Sequence, residues 1–304
     1  MSLPTLNSLK WAGFASVLAG VSLASAQTGT VTNGTRAQAN APVRETLFSR
    51  YQKRISETQE KQPHWITPLI TVTPRLEQEI RTDFVHSSNT KGYTIWNYGN
   101  TKGLETIPEK HTEVILNVPP FFNRSNGESD GFGDLAFLLK ERIYSRNEKS
   151  GNAILTAFLG ASVPTGKNRN GSCCAVVTPT LAVGKGWGRF DVTSTAGGML
   201  PVTGTKKLGR SVLWNTAGQY HLARRGVGRF FWPEVESNTT FFLGGSNDGK
   251  TQTFLTPGLV VGKIPLIRSK SGRLGLTVGA GEQIAVTHFH TANHAAVLTI
   301  RLPF

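Results

Sequence analysis

From Leu69 to Phe304 the side chains alternate between apolar and polar with period two, segment after segment, and nothing else in the chain restricts its fold so tightly. In the first stretch Ile70, Val72, Leu76, Ile80 and Phe84 hold even positions, while Arg75, Glu77, Glu79, Arg81 and Asp83 hold odd ones. Strand side chains point to opposite faces in turn, so one face of each stretch meets lipid or a core and the other meets water or counter-charges. Gly272 to Ala285 repeats the pattern, with Leu274, Leu276, Val278 and Ala280 opposed to Arg273, Thr277 and Gln283. In the last nine residues, AVLTIRLPF, Ala296, Leu298, Ile300, Leu302 and Phe304 share one face and Val297, Thr299 and Arg301 the other.

This alternation predicts strands over 69–85, 91–98, 103–120, 131–145, 151–164, 175–186, 188–202, 211–224, 229–243, 251–266, 272–286 and 295–304. Gly, Thr and charged residues interrupt every apolar run after residue 26, so no helical membrane span is expected. A membrane protein of this kind must be a barrel. The alternative is a secreted β-sandwich, which also alternates. Against it stand the strand lengths, well beyond the usual five or six residues. Aromatics also gather near strand ends, at Trp96 and Tyr98, Trp187, and Phe230 to Trp232, where interfacial girdles lie in barrels. The expected fold is therefore all-β, a transmembrane antiparallel β-barrel of about 12 strands with short periplasmic turns. Connections at 97–102, 146–151, 185–188, 225–228 and 268–272 fall on the side of both termini, and those at 86–90, 123–130, 166–174, 203–210, 245–250 and 287–294 on the other.

The opposite end carries an address. Residues 1–26 contain Lys10, the apolar run Trp11 to Leu23 and Ala24-Ser25-Ala26, the layout of a secretory signal peptide. Residues 27–62 are expected to form a periplasmic N-terminal tail, with a short helix possible over Arg44 to Gln62, and residues 63–304 the barrel. Cys173 and Cys174 are the two cysteines, too few for a disulfide framework, and their neighbourhood leaves both the free and the oxidised pair open.

Asp130-Gly-Phe-Gly-Asp-Leu-Ala-Phe-Leu-Leu-Lys140 followed by Leu155-Thr-Ala-Phe-Leu-Gly-Ala-Ser-Val-Pro-Thr-Gly166 resembles the paired central strands of the outer-membrane barrels named for the meta-pathway of phenol degradation. Thr178 to Gly188, Trp232 to Glu236 and Thr256 to Leu259 are similar to other segments of that family. The resemblance implies a channel in the cell outer membrane for aromatic or other hydrophobic small molecules, without catalysis or cofactor. The strand ending at Phe304 resembles the closing strand that the barrel-assembly machinery reads.

The inward faces hold Arg75, Glu77, Glu79, Arg81, Asp83, Glu113, Asp134, Lys140, Arg142, Arg189, Asp191, Glu234, Glu236, Arg273 and Arg301. Charges confined in a barrel must pair or stay hydrated, so these residues form either an ion-pair network bracing the wall or a polar constriction that selects a solute. Phe158, Phe254, Val260 and Ile264 make a candidate apolar lumen patch, and inward Gly160, Gly197, Gly258, Gly262, Gly275, Gly279 and Gly281 thin the wall for open volume or for a close-packed plug.

The net charge of +14 on an exported chain argues against nucleic acid and towards anionic glycolipid headgroups or anionic solutes. Lys167, Arg169, Lys206, Lys207 and Arg210 face outward from the predicted outer loops, towards lipopolysaccharide. His288, His290 and His294 are a weak metal candidate, since no carboxylate or cysteine beside them completes a site. His111 and His221 lack a serine partner, and no enzyme constellation emerges. Two functions of different class follow: a passive channel for small molecules, or a non-transporting structural or adhesive barrel with a closed lumen.

Overall fold

The structure, a computed structural model, describes residues 46–267 and 273–304; the expected signal segment 1–26 and the tail as far as residue 45 lie outside the described residues. Twelve antiparallel strands close into one barrel. Strand β1 is Glu79–Asn89; β2 is Thr94–Gly99 continued by Gly103–Thr106; β3 is Thr112–Asn117 continued by Phe121–Arg124; β4 is Gly131–Phe132 continued by Leu135–Arg146. Strands β5 to β8 are Ala153–Val163, Val176–Trp187, Phe190–Pro201 and Ser211–Tyr220. Strands β9 to β12 are Phe231–Phe242, Thr251–Pro265, Gly275–Ala285 and Ala292–Pro303. Each pairs with the next, and β1 pairs with β12 from Glu79 opposite Pro303 to Asn89 opposite Ala292, which leaves no open edge.

The wall alternates as the sequence dictates. In β12 Ala295, Val297, Thr299 and Arg301 are buried, while Ala296 and Leu298 are exposed. Leu159, Leu181, Val183, Trp214, Val235 and Leu298 are exposed members of an outer apolar surface far larger than the single residues a soluble surface scatters. That surface suits hydrocarbon. No helix among the described residues is long and apolar enough to cross a membrane, so any crossing is made by strands.

Two expectations need correction. The segment 97–102 is not a turn: Asn100 and Thr101 sit at φ 41° and 53° within β2, with the Asn100 amide donating to Asn97 Oδ1 at 3.1 Å. This two-residue irregularity shifts the pairing of β1 with β2, and the true turn lies at 107–111. The strand count survives, because the extra residues stay inside one strand.

The second correction is larger. The first wall strand does not begin at Leu69; it begins at Glu79, and residues 61–78 run without ladder pairing through the barrel interior. Pro63, Pro68 and Pro74 each lack an amide hydrogen, and three within twelve residues interrupt a ladder that elsewhere tolerates single prolines such as Pro179 in β6 and Pro233 in β9. Upstream, helix α1 (Leu47–Glu60) is capped by Thr46, whose hydroxyl accepts from the Ser49 amide at 3.1 Å. Its buried Ile55 packs with Leu76 and Ile107, next to Tyr51, and so ties the helix to the inner segment and to the 107–111 turn.

Candidate functional site: a filled lumen and its turn-side mouth

The inner segment is seated by shape. Trp65, Ile66 and Leu69 form one buried cluster with wall residues Ile154, Trp232 and Val260. Glycines in the wall make the sockets. A methyl group added at Gly279 or Gly281 would come within 2.6 or 2.7 Å of Leu69, one at Gly262 within 2.6 Å of Ile66, and one at Gly184 within 2.6 Å of Trp65. The thin wall therefore encloses a close-packed plug rather than open volume, since a Cβ cannot share space with a neighbour at those distances.

The plug is also held by its backbone. Glu234 accepts from the Leu69 amide at 3.0 Å, and Glu236 accepts from the Ile70 and Thr71 amides at 2.8 and 2.6 Å. Arg81 donates to the Leu69 carbonyl at 2.5 Å, and Arg301 donates to the carbonyls of Thr67 and, at 2.6 Å, Pro68. Thr156 donates to Pro74 O at 2.6 Å, Lys140 to Arg75 O at 3.3 Å, and the Glu77 amide donates to Glu113 at 2.5 Å. Gln62 closes a pair of bonds with Leu76, 2.9 Å each. A chain without sheet partners must satisfy its buried amides and carbonyls some other way, and here the charged inward faces of the wall do so.

The inward charges divide accordingly. Arg81, Asp83, Glu113, Lys140, Glu234, Glu236 and Arg301 are buried on the wall around the plug, and Glu79 is buried where β1 begins. Arg81 pairs with Asp83 at 2.9 Å and Lys140 with Glu113 at 2.8 Å, so bracing and plug-holding are carried by the same residues. Arg75 and Glu77 pair at 3.1 Å within the plug itself, not on the wall. Arg142 donates to Thr58 O and Lys110 O, each at 2.8 Å, and Arg273 donates to Gln52 O at 3.3 Å and Ser56 Oγ at 3.1 Å; both fasten helix α1. Asp134 lies apart in the gap within β4, accepting from the Gly166 and Ser172 amides at 2.9 and 2.7 Å, and shapes the 163–176 connection.

The apolar patch is divided as well. Phe158, Phe254 and Val260 are buried, Val260 directly under the plug and Phe158 below the Lys140 ammonium at 5.6 Å. Ile264 is not among them. A bulge between Val261 and Ile264 inserts one residue, so Ile264 pairs with outward Leu276 and leaves the lumen, while Lys263, at φ 60°, turns inward and donates to the His64 carbonyl.

At the end bearing helix α1 and the C-terminal residue, the turns 146–153 and 187–190 and the loop 220–231 surround a cavity of about 740 Å³. Its wall includes Arg189, Asp191, Arg224, Arg229, Trp232 and Lys263. His221 stacks flat on Trp232 at 4.1 Å and bonds with Arg229 O at 2.9 Å. The plug's entry is latched here, where the His64 amide donates to Glu148 at 2.5 Å and the His64 ring meets the same carboxylate at 2.8 Å. Burial alone would raise the Glu148 carboxyl, but the hydrogen bonds from the His64 ring and amide outweigh it and hold the carboxyl at about 2.

A carboxyl lowered from 4.5 to about 2 adds stability above its ordinary value and loses it as pH falls through that window. Trp65 fluorescence is accordingly expected to change between pH 4.5 and 2, and Glu148→Gln to remove that step. An unaltered acid transition in the variant refutes the latch.

At the other end, Cys173 and Cys174 are joined in a disulfide beside Gly204, and Lys206 and Lys207 are exposed. The three histidines do not converge. His294 pairs with Glu282 at 2.7 Å, His290 bonds locally with Thr287 O and Asn293, and His288 is exposed; no group of three metal-ligating residues occurs among the described residues.

Alternation alone does not single out Trp65, Ile66, Leu69 and Gln62, which build the plug. Two signals point to them in retrospect: three prolines spaced five or six residues apart before β1, and a row of inward glycines too dense for a wall that faces only water.

No protein-family model and no curated relative matches the sequence. Among solved structures, an outer membrane channel from Pseudomonas putida F1 is similar at 17% identity and a TM-score of 0.54, covering 79% of this chain and 100% of that one. The NanC porin aligns at 9% identity and a TM-score of 0.46, over 74% of this chain and 98% of that one. The first of these likenesses establishes a shared barrel fold.

Proposed function

We propose that the protein is a small-molecule channel of the outer membrane, held closed in this conformation by its own residues 61–78. The observation that carries this reading is the manner of closure. The plug has no sheet pairing and is held by side-chain hydrogen bonds together with its glycine sockets. A permanently solid barrel core needs no such arrangement, because apolar side chains fill a small barrel more cheaply than buried charges do. The solved channel of like fold supports the reading in general terms. Export by residues 1–26, insertion through the strand ending at Phe304 and contact of Lys206 and Lys207 with lipopolysaccharide phosphates belong to the same proposal.

The aromatic or hydrophobic cargo implied by family resemblance draws little support from the lumen. Val260 is covered by the plug, Ile264 faces outward, Phe158 lies under the Lys140 ammonium, and the buried wall around them is rich in charged side chains. The density of bonds to the plug favours the second reading, a barrel that never opens. Liposomes bearing the purified chain separate the two: the channel reading expects discrete conductance steps and solute uptake faster than in empty vesicles, and uptake equal to empty vesicles overturns it.

A further inference from the structure

We infer that the turn-side mouth is a binding site for a small polyhydroxylated organic anion, a reading that deepens the channel proposal by naming the class of solute the mouth admits. The cavity of about 740 Å³ is of ligand size. Five cations line it, Lys149, Arg189, Arg224, Arg229 and Lys263, against two carboxylates, Glu148 and Asp191. Glu148 is committed to His64, as Lys263 is to the His64 carbonyl and Arg189 to Leu222 O at 2.8 Å, which still leaves Lys149, Arg224 and Arg229 against Asp191. Clustered charge of one sign within low-dielectric walls concentrates the opposite ion.

The cations are also placed for a ligand rather than merely for solubility. Arg189 lies over the Tyr220 ring at 4.9 Å and Arg229 over Phe230 at 4.6 Å, a packing that orients the guanidinium planes. Arg224 and Lys149 have no side-chain hydrogen bond or ion pair among the described residues. Lys263 reaches the cavity only through the bulge of β10, since strict alternation would send it to the lipid face. A left-handed, non-glycine residue is a local strain, and this one re-aims a charge into the mouth.

Asp191 supplies the second half of the argument. It is 2% exposed, lines the same cavity, and its Oδ1 has no hydrogen-bond partner. A buried, unpartnered carboxylate oxygen beside a cavity is the atom that a bound ligand's donor would complete. In surroundings this cationic the suitable donor is a neutral hydroxyl on an otherwise anionic molecule, not a second cation. A hydroxycarboxylate satisfies both halves: its carboxylate meets the arginines and its hydroxyl meets Asp191.

The test is titration calorimetry of the full chain in detergent micelles at low salt with three probes of similar size: gluconate, hexanoate and sorbitol. Gluconate is expected to bind about tenfold or more tightly than either of the others, because only it carries both the charge and the donors. Arg224→Ala and Arg229→Ala, both in the 220–231 loop and without a hydrogen bond to the plug, are expected to lower gluconate affinity about tenfold. Asp191→Ala, which leaves no side-chain acceptor, should remove the advantage of gluconate over hexanoate while leaving hexanoate binding in place. The proposal is overturned if sorbitol equals gluconate, if hexanoate equals gluconate, if none of the three binds, or if the loop variants bind gluconate as the parent does. Conductance of the same preparation keeps the two readings apart. A barrel that conducts without binding gluconate loses the site and keeps the channel, and one that binds without ever conducting loses the channel and keeps the site.

Discussion

Replacing Glu236 by alanine is expected to convert a barrel that conducts rarely into one that is open for much of the time. Glu236 is fully buried, and its two oxygens accept the amides of Ile70 and Thr71 at 2.8 and 2.6 Å. Truncation leaves two buried N–H groups without acceptors, at about 1–3 kcal/mol each. A total of roughly 2–6 kcal/mol changes the ratio of held to released plug by roughly 30-fold to 10⁴-fold. Release also restores water to both amides, so the variant gains a reason to open as well as losing one to stay shut. Planar-bilayer recording is the measurement. Glu236→Gln keeps one carbonyl acceptor and should fall between the variant and the parent. Equal open probability in all three would show that the plug is fixed by the Trp65, Ile66 and Leu69 sockets alone.

Asp83→Ala is expected to weaken closure of the barrel itself. Arg81 of β1 and Arg301 of β12 are paired positions across the closing seam, both buried and both cationic. Asp83 offsets them. It holds Arg81 through two bonds of 2.9 Å and accepts from Thr299 of β12 at 2.6 Å, so one carboxylate bridges the two strands that must meet. Removing one member of a buried ion pair costs about 3–5 kcal/mol, because the charge left behind has neither water nor partner. Here two like charges would be left at the seam. The temperature at which the folded barrel loses its compact mobility in detergent gels should fall clearly relative to the parent, and Asp83→Asn should recover part of the loss. A thermal transition unchanged in Asp83→Ala would show that backbone pairing alone closes the seam.

The wall was legible in the sequence because alternation is a local property: whichever strand pairs with whichever, one face of a segment such as Ala296 to Phe304 must be apolar. Strand number was equally legible, since polar turns separate the alternating runs. Even the misplaced turn at 97–102 left the count intact, because the residues it consumed were returned at 107–111. The plug was not legible by that rule. Residues 69–85 alternate as well as any wall strand does, yet Leu69 and Leu76 are sequestered inside the barrel rather than turned to its outer surface. Alternation reports that one side of a segment is apolar, not whether that side meets lipid or the interior glycines of other strands.

The sequence alone thus determined an alternating, twelve-stranded closed sheet with charged inner faces and an apolar outer one, because period two and turn chemistry are written residue by residue. Only the tertiary structure decided that residues 61–78 leave the wall and fill the lumen. Their acceptors and donors, Glu234 and Glu236 on β9, Arg301 on β12, Arg81 on β1, and Thr156 on β5, come from four separate parts of the chain. It also decided that a one-residue bulge sends Ile264 out and Lys263 in. The physical reason is the same in each case: a buried amide, carbonyl or charge takes whatever partner barrel closure brings within hydrogen-bond reach, and closure joins residues more than two hundred positions apart.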